Sequence, residues 1–431
     1  MRKATYMLLL SMTLLLHSCR SQENGMTEKQ RLDVFEQVWK LVNEHFHDAD
    51  FNGVDWQKMR RDYEPGIAAC TNTDSLFLLL NDMLFELNSS HCGVGPLSEI
   101  ERVISPYLFA AGDIGIDVRV LDGRIVVTTV SANSPADRAG VKPGFTIDSI
   151  DGLALSEIEA RVRFRPPYND RNRKFHLTSE VLRGLYGEPN TTVTLAFTDE
   201  AEQSHSRTLM RTERKQAISL GAGLPPAFPR SSAMRLTGKI ACLRFNAFRP
   251  SDMEHVLDDV AKVADSEGLV IDLRGNDGGS VEGMKLLLGR FVSRPMKYGA
   301  YVNRHERDED SIAPAGDRYR GKVVLLVDEM SISAAENMAG IFQQLGIGKV
   351  IGQRTPGQML WGEGYVLHDS IALAIPVYRL EYLNGRNPEN NGISPDVEVR
   401  LKREELLRGK DTQLEKAVEV LKSEIRKQEA Y

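Results

Sequence analysis

The chain has 431 residues, of which 42% are hydrophobic and 26% are charged, and its formal net charge is −6 at pH 7. This composition is typical of a globular protein, and the length favours two or three domains over one core. The net negative charge and the lack of a basic stretch interleaved with aromatic residues argue against a nucleic-acid-binding protein.

The N-terminal residues have the features of a bacterial lipoprotein signal. Two basic residues precede the apolar run Tyr6–Leu16, which has signal-peptide length and is too short to span a bilayer. The run ends at Leu16–Cys19, a sequence that resembles a lipobox. We predict a signal peptide over 1–18, lipidation of Cys19 and a polar tether over 19–26. The protein would then lie at the bacterial cell envelope, facing the periplasm or in the outer membrane; the alternative is an ordinary secretory signal.

Three cysteines remain after Cys19, and an odd number leaves at least one without an intramolecular partner. A disulfide between Cys70 and Cys92 is conceivable, and Cys242 would then be unpaired. The sequence leaves this pairing open.

Residues 27–95 are predicted to form an N-terminal helical domain. Apolar residues recur at steps of three and four from Val34 to Val42, and Leu76–Leu87 is strongly apolar and amphipathic. The helical pattern ends in the turn residues Asn88–Gly93.

Residues 104–211 show strand periodicity instead. Alternation with period two begins at Gly115, and Ser134–Gly152 contains a short helix, a tight turn and a strand in the order of a PDZ domain. The segment resembles that family, although Phe145 and Asp151 stand where Asp and Asn are commoner. The resemblance implies that Gly115 and Ile116 bind the substrate peptide at a strand edge.

A Gly- and Pro-rich linker over 212–235 precedes a core domain over 236–402, and a charged helix is predicted over 403–431. Strands alternate with helices in the core, which predicts an α/β layered fold. The predicted strands are Ile240–Phe245, Leu269–Leu273, Val323–Val327 and Ala372–Val377, and the predicted helices are Met253–Asp265, Val281–Phe291 and Ala334–Leu345.

A serine lies in the turn between the strand Val323–Val327 and the next helix. At this place Ser333 would be beside the unpaired N–H groups of a helix N-terminus, which favour a developing oxyanion. The alternative is helix capping by Ser331 or Ser333, with Glu336 completing a capping box.

Four motifs in order give the resemblance that decides between these interpretations. They are Ser90-His91, Asp272–Gly279, Ser333–Glu336 and Pro388–Asp396, with the PDZ-like segment between the first two. Together they resemble the carboxy-terminal processing (tail-specific) serine peptidases and the related tricorn protease, from about residue 30 to 402. The resemblance implies an α/β (α+β multidomain) protein with a crotonase/ClpP-like layered core, an inserted PDZ domain and an N-terminal helical domain.

The resemblance also implies the catalytic residues. One branch of the family uses a lysine about 25 residues after the nucleophile, but this chain has Gln358 there, and a neutral amide is not a general base. The tricorn-like branch is matched instead: Ser333 would be the nucleophile, His91 the base, and Ser90 with Glu389 would orient the imidazole. An ordinary imidazole predicts activity that rises with pH near 6–7.

The glycine-rich loop Asp272–Gly279 is expected to complete an oxyanion hole. The family places one donor at the paired glycines and one after the nucleophile, here Gly278 (Gly279 less favoured) and Ala334. Asp272 and Arg274 are expected to hold the loop. Its spacing matches neither a Walker motif nor a dinucleotide fingerprint.

The sequence therefore predicts a lipid-anchored serine endopeptidase that acts on exported polypeptides, with its PDZ domain recruiting or gating peptide ends. The alternatives are an inactive peptide-binding lipoprotein of the same fold and, less favoured, a crotonase-type acyl-CoA enzyme. No metal-ligand pattern is present in the sequence, so neither metal nor cofactor is expected. Oligomeric state and cleavage specificity are not predicted.

Overall fold

The computed structural model describes residues 26–97, 109–162, 170–215, 217 and 227–429. The predicted signal peptide over 1–18, the predicted lipidation site Cys19 and nearly all of the tether lie outside the described residues. Within the described ranges, no helix has both the length and the apolarity needed for a membrane span.

Three helices form the N-terminal region. They are α1 (Glu28–His45), α2 (Trp56–Ala69) and α3 (Thr73–Phe85). Each begins at a side-chain cap: Thr27 forms a capping box with Gln30, and the side chains of Asp55 and Asn72 cap α2 and α3. The apolar stripe predicted from Val34 to Val42 is buried, so this face of α1 is the core face.

Residues 112–213, called the insert domain below, contain a separate sheet and core. Its elements are β2 (Gly112–Asp113), β3 (Ile116–Leu121), β4 (Arg124–Val130), α4 (Pro135–Arg138), β5 (Thr146–Ile150), β6 (Leu153–Ala154), α5 (Leu155–Arg161), α6 (Asp170–Leu185), β7 (Thr192–Thr198), β8 (Ser204–Met210) and β9 (Thr212–Glu213). The antiparallel sheet has the order β3-β4-β5-β7-β8, with β6 on β5, and β2 pairs with β9. Leu177 and Val181 of α6 pack into its core with Val118.

The core domain is built on a six-stranded sheet. Its elements up to the nucleophile turn are β10 (Ser231–Thr237), β11 (Ile240–Phe245), α7 (Pro250–Lys262), β12 (Gly268–Asp272), α8 (Val281–Leu288), β13 (Met296–Val302), β14 (Arg307–Ile312) and β15 (Lys322–Val327). Those after it are α9 (Ala334–Gln344), β16 (Lys349–Gly352), β17 (Trp361–Leu367), β18 (Ile371–Tyr382), β19 (Val397–Glu398), α10 (Arg403–Leu407) and α11 (Thr412–Glu429). The sheet order is β10-β11-β12-β15-β16-β19, and only β10 is antiparallel to its neighbour.

A second core sheet joins the helical region to the core. It contains β1 (Gly93–Pro96) in the order β1-β18-β13-β14, and β17 pairs with β18. Gly93 pairs with Ala374, so the chain that follows α3 becomes part of the core. This pairing places Ser90 and His91 at the edge of the core domain.

The predicted strands and helices of the core are present, with ends displaced by a few residues and with the last strand longer than predicted. The single C-terminal helix predicted over 403–431 is wrong, because α10 and α11 are separated by a turn in which Gly409 has a φ of 73°. Cys70, Cys92 and Cys242 are all free thiols, so the conceivable Cys70–Cys92 disulfide is not formed.

Candidate active site

The turn between β15 and α9 holds Ser333 in an unusual backbone conformation. Its φ and ψ are 55° and −119°, which correspond to the first central residue of a type II′ turn, a position that favours glycine. The Ser333 N–H donates to the carbonyl oxygen of Gln358 at 2.9 Å, and its own carbonyl accepts the Asn337 N–H at 2.9 Å. A non-glycine residue in this conformation costs about 1–3 kcal/mol, so the surrounding contacts impose it.

Neither serine of the turn caps the helix. Ser333 occupies the N-cap position of α9 without a side-chain capping bond, so the capping-box interpretation is wrong. The Ser331 hydroxyl is buried, donates to the Leu273 carbonyl at 2.8 Å and accepts the Asp328 N–H at 3.0 Å. Ser331 therefore fastens the turn to the glycine-rich loop, and its hydroxyl is not accessible to a substrate.

The glycine-rich loop lies directly against the turn. Gly278 has a φ of 75°, and a Cβ atom placed on it would be 2.6 Å from Ser333 Cβ and 2.8 Å from the Ala334 nitrogen. Only glycine fits there. The Gly278 N–H donates to Asn276 Oδ1 at 2.9 Å, whereas the amides of Gly279 and Ala334 make no hydrogen bond within the described part of the chain. The amide available in this conformation is therefore that of Gly279, which the sequence analysis had placed second to Gly278.

Asn276 organises this loop and was not singled out from the sequence. Its side chain is fully buried, and Asn276 Nδ2 donates to the Phe245 carbonyl at 2.9 Å. The main-chain carbonyl of Asn276 accepts the Ile332 N–H at 3.0 Å. The sequence feature that could have identified Asn276 is that it is the one amide side chain within the glycine-rich loop Asp272–Gly279.

Arg274 holds the same loop from the other side, as the sequence analysis expected. Its guanidinium donates to Asp272 at 2.8 and 2.7 Å and to Asp411 and Gln413 at 3.0 Å each. Charge pairing with Arg274 lowers the pKa of Asp272 to about 2 despite its burial, so this carboxylate is ionised at neutral pH.

Ser90, His91 and Glu389 form one hydrogen-bonded group. The Ser90 N–H donates to Glu389 Oε1 at 2.9 Å, and Ser90 Oγ lies 2.9 Å from His91 Nδ1. The second oxygen of Glu389 accepts the Met359 N–H at 2.9 Å. The preceding residue, Gln358, accepts the Ser333 N–H at its carbonyl. The consecutive residues Gln358 and Met359 therefore connect Ser333 to Glu389.

The structure thus brings the four predicted catalytic residues into one region. Within the described ranges no hydrogen bond joins His91 to Ser333, and such contacts are often long without a substrate. Burial lowers the pKa of His91 to about 4, so its imidazole is neutral at pH 7. Burial also raises the pKa of Glu389 to about 7, although the Met359 and Ser90 amides oppose that rise.

Glu336 has a role that the sequence did not reveal. Its carboxylate is fully buried and accepts the N–H groups of Gly357 and Gln358, both at 2.7 Å. It therefore fixes the segment whose carbonyl contacts Ser333. Burial raises its pKa to about 8. Its position three residues after Ser333 suited a capping box equally well, so no local sequence signal identified this buried carboxylate.

The insert domain contacts the nucleophile turn. Arg119 of β3 donates to Asp328 Oδ2 at 2.7 Å, and the Met330 side chain belongs to the hydrophobic core of the insert domain. The predicted peptide-binding residues lie at the start of the same strand. Gly115 has a φ of 80° and closely faces Ser134, and Ile116 is buried in the domain core.

Among the described residues, no group of three or more His, Cys, Asp and Glu side chains is arranged to hold a metal ion.

Comparison with known proteins gives two family matches. Residues 239–399 match peptidase family S41, and residues 27–85 match the tricorn protease C1 domain. The first match spans β11 to β19 and includes the glycine-rich loop and the Ser333 turn. The second spans the three N-terminal helices.

Two curated relatives represent the two branches. The carboxyl-terminal-processing protease of Synechocystis sp. is 25% identical over 390 residues, which are 87% of this chain and 82% of that protein. Tricorn protease homolog 1 of Streptomyces coelicolor is 26% identical over 401 residues, which are 89% of this chain but only 34% of the relative. The chain therefore spans about a third of that tricorn homologue.

A solved structure agrees in fold. The photosystem II D1 C-terminal processing protease superposes with a TM-score of 0.56 at 20% identity, covering 89% of this chain and 98% of that one. At this identity the likeness concerns the fold alone. It extends over the N-terminal helices, the insert domain and the core.

Proposed function

We propose, from the premise that this chain is a serine peptidase of family S41, that it cleaves exported polypeptides through an acyl-enzyme on Ser333. The observation that supports this assignment is the common location of Ser333, the free Ala334 amide and the Ser90–His91–Glu389 group. Gln358 does not act as a base, because its side chain is a neutral amide.

The proposed chemistry begins with proton transfer. His91 accepts the proton of the Ser333 hydroxyl through Nε2 while its Nδ1 contacts Ser90, and Ser333 Oγ attacks the carbonyl carbon of the scissile peptide. The amides of Ala334 and Gly279 stabilise the oxyanion, each contributing about 3–4 kcal/mol. His91 then transfers its proton to the leaving amine, which departs as the acyl-enzyme ester forms. His91 then takes a proton from a water molecule that attacks the ester carbonyl, and it returns this proton to Ser333 Oγ as the carboxylic acid product is released.

The insert domain is proposed to be a PDZ domain that recruits or gates polypeptide ends, with Gly115 and Ile116 at its binding edge. Its antiparallel sheet with α6 packed near β3 supports this assignment, together with the PDZ-like pattern of Ser134–Gly152. β-strand addition would supply main-chain hydrogen bonds to the bound end.

Export and membrane attachment are proposed from the N-terminal sequence. Residues 1–18 would direct export, and a lipid on Cys19 would hold the protein at the cell envelope. Cys19→Ser should release the protein from washed membranes or stop its maturation. Full retention of this variant on membranes after a high-salt wash would contradict the lipid anchor.

Active-site labelling tests the catalytic proposal. A fluorophosphonate probe should label the wild-type protein at Ser333, and the wild type should hydrolyse denatured casein. Ser333→Ala should lose both signals and His91→Ala most of both, whereas the matched variant Gln358→Ala should keep both. Hydrolysis by pure Ser333→Ala would overturn the assignment. Peptide binding without labelling or hydrolysis by the wild type would instead favour the inactive peptide-binding protein.

A further inference from the structure

Strand β17 has an open edge next to the proposed active site. In the described part of the chain it pairs only with β18, so one row of its backbone N–H and C=O groups lacks a strand partner. It begins at Trp361, three residues after Gln358, whose carbonyl contacts Ser333. An open strand edge is a template for pairing with another extended chain.

The composition of this edge differs from that of β14, another edge strand of the same sheet. β14 begins with the charged run Arg307–Asp310, which is a usual defence against unwanted pairing. β17 contains two glycines and the single charge of Glu363. Its Trp361 and Val366 side chains are 39% and 58% exposed. The β17 edge is therefore accessible and almost uncharged.

Contacts place the beginning of β17 against the proposed base. A Cβ atom on Gly362 would lie 3.1 Å from His91 Cβ, so the strand passes directly beside this residue. The Trp361 ring packs edge-on against Tyr301 with a centroid distance of 5.4 Å and lies 5.5 Å from Tyr378. These neighbours hold a half-exposed indole in one orientation, as expected of an aromatic contact surface.

We infer that an extended segment of the polypeptide substrate pairs with the open edge of β17 and packs an apolar side chain on Trp361. This inference rests on the proposed function, because Gly362 at the beginning of β17 contacts His91 and the strand follows Gln358, whose carbonyl contacts Ser333. The occupant is an unfolded polypeptide, since main-chain pairing recognises any extended backbone and continuity with the site places that backbone at the nucleophile. The exposed indole selects an apolar side chain, and the Glu363 carboxylate disfavours acidic ones.

Tryptophan fluorescence tests binding independently of catalysis. The chain has three tryptophans, and Trp361 is the exposed one, because Trp56 is buried and Trp39 is partly buried. Reduced and carboxymethylated ribonuclease A, an unfolded polypeptide that lacks tryptophan, is titrated into Ser333→Ala protein. The emission should shift to shorter wavelength as the indole leaves water, and Trp361→Phe in the same background should abolish the shift. An unchanged emission spectrum at saturating polypeptide would overturn the inference.

Kinetics and cleavage-site mapping on denatured casein give the second readout. Trp361→Ala should lower kcat/KM by about tenfold or more and remove an apolar preference at one fixed subsite, with fluorophosphonate labelling of Ser333 unchanged. Trp361→Phe should retain most of both, and Met234→Ala, an exposed apolar side chain on β10, is the matched control. Equal cleavage-site preferences and kcat/KM in wild type and Trp361→Ala would contradict the inference. Failure of the wild type to label would contradict the proposed function instead, and the fluorescence titration would still test the edge.

Discussion

The Arg119 guanidinium and the Asp328 carboxylate form a buried ion pair of 2.7 Å that joins the insert domain to the turn before Ser333. Asp328 also accepts the N–H groups of Met330 at 2.9 Å and Gly275 at 3.2 Å. Met330, in turn, is fully buried in the hydrophobic core of the insert domain. The shape of the nucleophile turn therefore depends on where the insert domain is docked.

Replacement of Arg119 tests this dependence. Arg119→Met leaves Asp328 buried without its main counter-charge, so it should lower the free energy of unfolding by about 3–5 kcal/mol. The double variant Arg119→Met with Asp328→Asn should recover part of this loss, because the uncompensated charge is removed. Urea unfolding measures both effects. The control Arg235→Met breaks an exposed ion pair with Asp265 and should cost less than about 1 kcal/mol. A cost for Arg119→Met no larger than that of this control would contradict the prediction.

A second prediction concerns the backbone of Ser333. Ser333→Gly should be more stable than Ser333→Ala by about 1 kcal/mol, because glycine adopts a φ of 55° without a Cβ clash. Part of this gain is offset because glycine loses more conformational entropy than alanine on folding. Both variants should lack hydrolysis, and urea unfolding gives the difference. Ser331→Ala should be less stable than wild type by about 1–3 kcal/mol, since its buried hydroxyl has partners on two segments. Equal stability of the glycine and alanine variants would show that the turn is not strained.

The strand–turn–helix around Ser333 could be predicted from the sequence because its signals are local. Five apolar residues give the strand, and the following periodicity gives the helix. Glu336 could not be assigned in the same way, because its spacing from Ser333 suits a capping box as well as a buried carboxylate. Its true partners, Gly357 and Gln358, are about 20 residues away on a segment without periodicity.

Contacts between segments far apart in the sequence could be predicted only from the resemblance to the peptidase family, and some could not be predicted at all. The approach of Ser90 to Glu389, which are 299 residues apart, came from the order of family motifs and not from periodicity. Met330 carries no sequence signal for its location, since an apolar residue in a short turn gives no sign that it enters the core of another domain. The partial burial of His91 was missed for the same reason, and with it the direction of its pKa shift.

The pH dependence of hydrolysis tests that burial. Because burial lowers the pKa of His91 to about 4, kcat/KM should rise with pH through about 4 and not near 6–7 as an ordinary imidazole would predict. His91→Ala should reduce kcat by about 10²–10⁴-fold, as for loss of a general base. A pH profile of kcat/KM from pH 3.5 to 9 gives the midpoint. An acidic limb centred between 6 and 7 that persists in Glu389→Gln, and so does not come from the Glu389 carboxyl group, would mean that His91 is solvated in the working enzyme.

Glu336 gives the last prediction, which concerns stability and pH. Its pKa is raised from 4.5 to about 8 in the folded protein, so the folded state binds this proton more tightly than the unfolded state. The resulting stabilisation is fully present below pH 4.5 and is lost as pH rises towards 8. The contribution of Glu336 to the free energy of unfolding should therefore fall by about 2 kcal/mol between pH 6 and pH 8, and Glu336→Gln, which does not titrate, should lack this part of the slope.

The same substitution should impair catalysis, because the glutamine NH2 group cannot accept a hydrogen bond, whereas Glu336 presents an oxygen to each of the N–H groups of Gly357 and Gln358 in either protonation state. We expect kcat to fall by about 10- to 100-fold, comparable with the loss of about 1–3 kcal/mol for an unsatisfied buried group. Glu389→Gln is the necessary comparison, since burial also raises the pKa of Glu389, to about 7, and its pH effect has the same sign. Urea unfolding at pH 5, 6, 7, 8 and 9 for the three proteins separates the two carboxyl groups. If Glu336→Gln retains the wild-type slope and turnover, the carboxylate does not position the Gln358 segment.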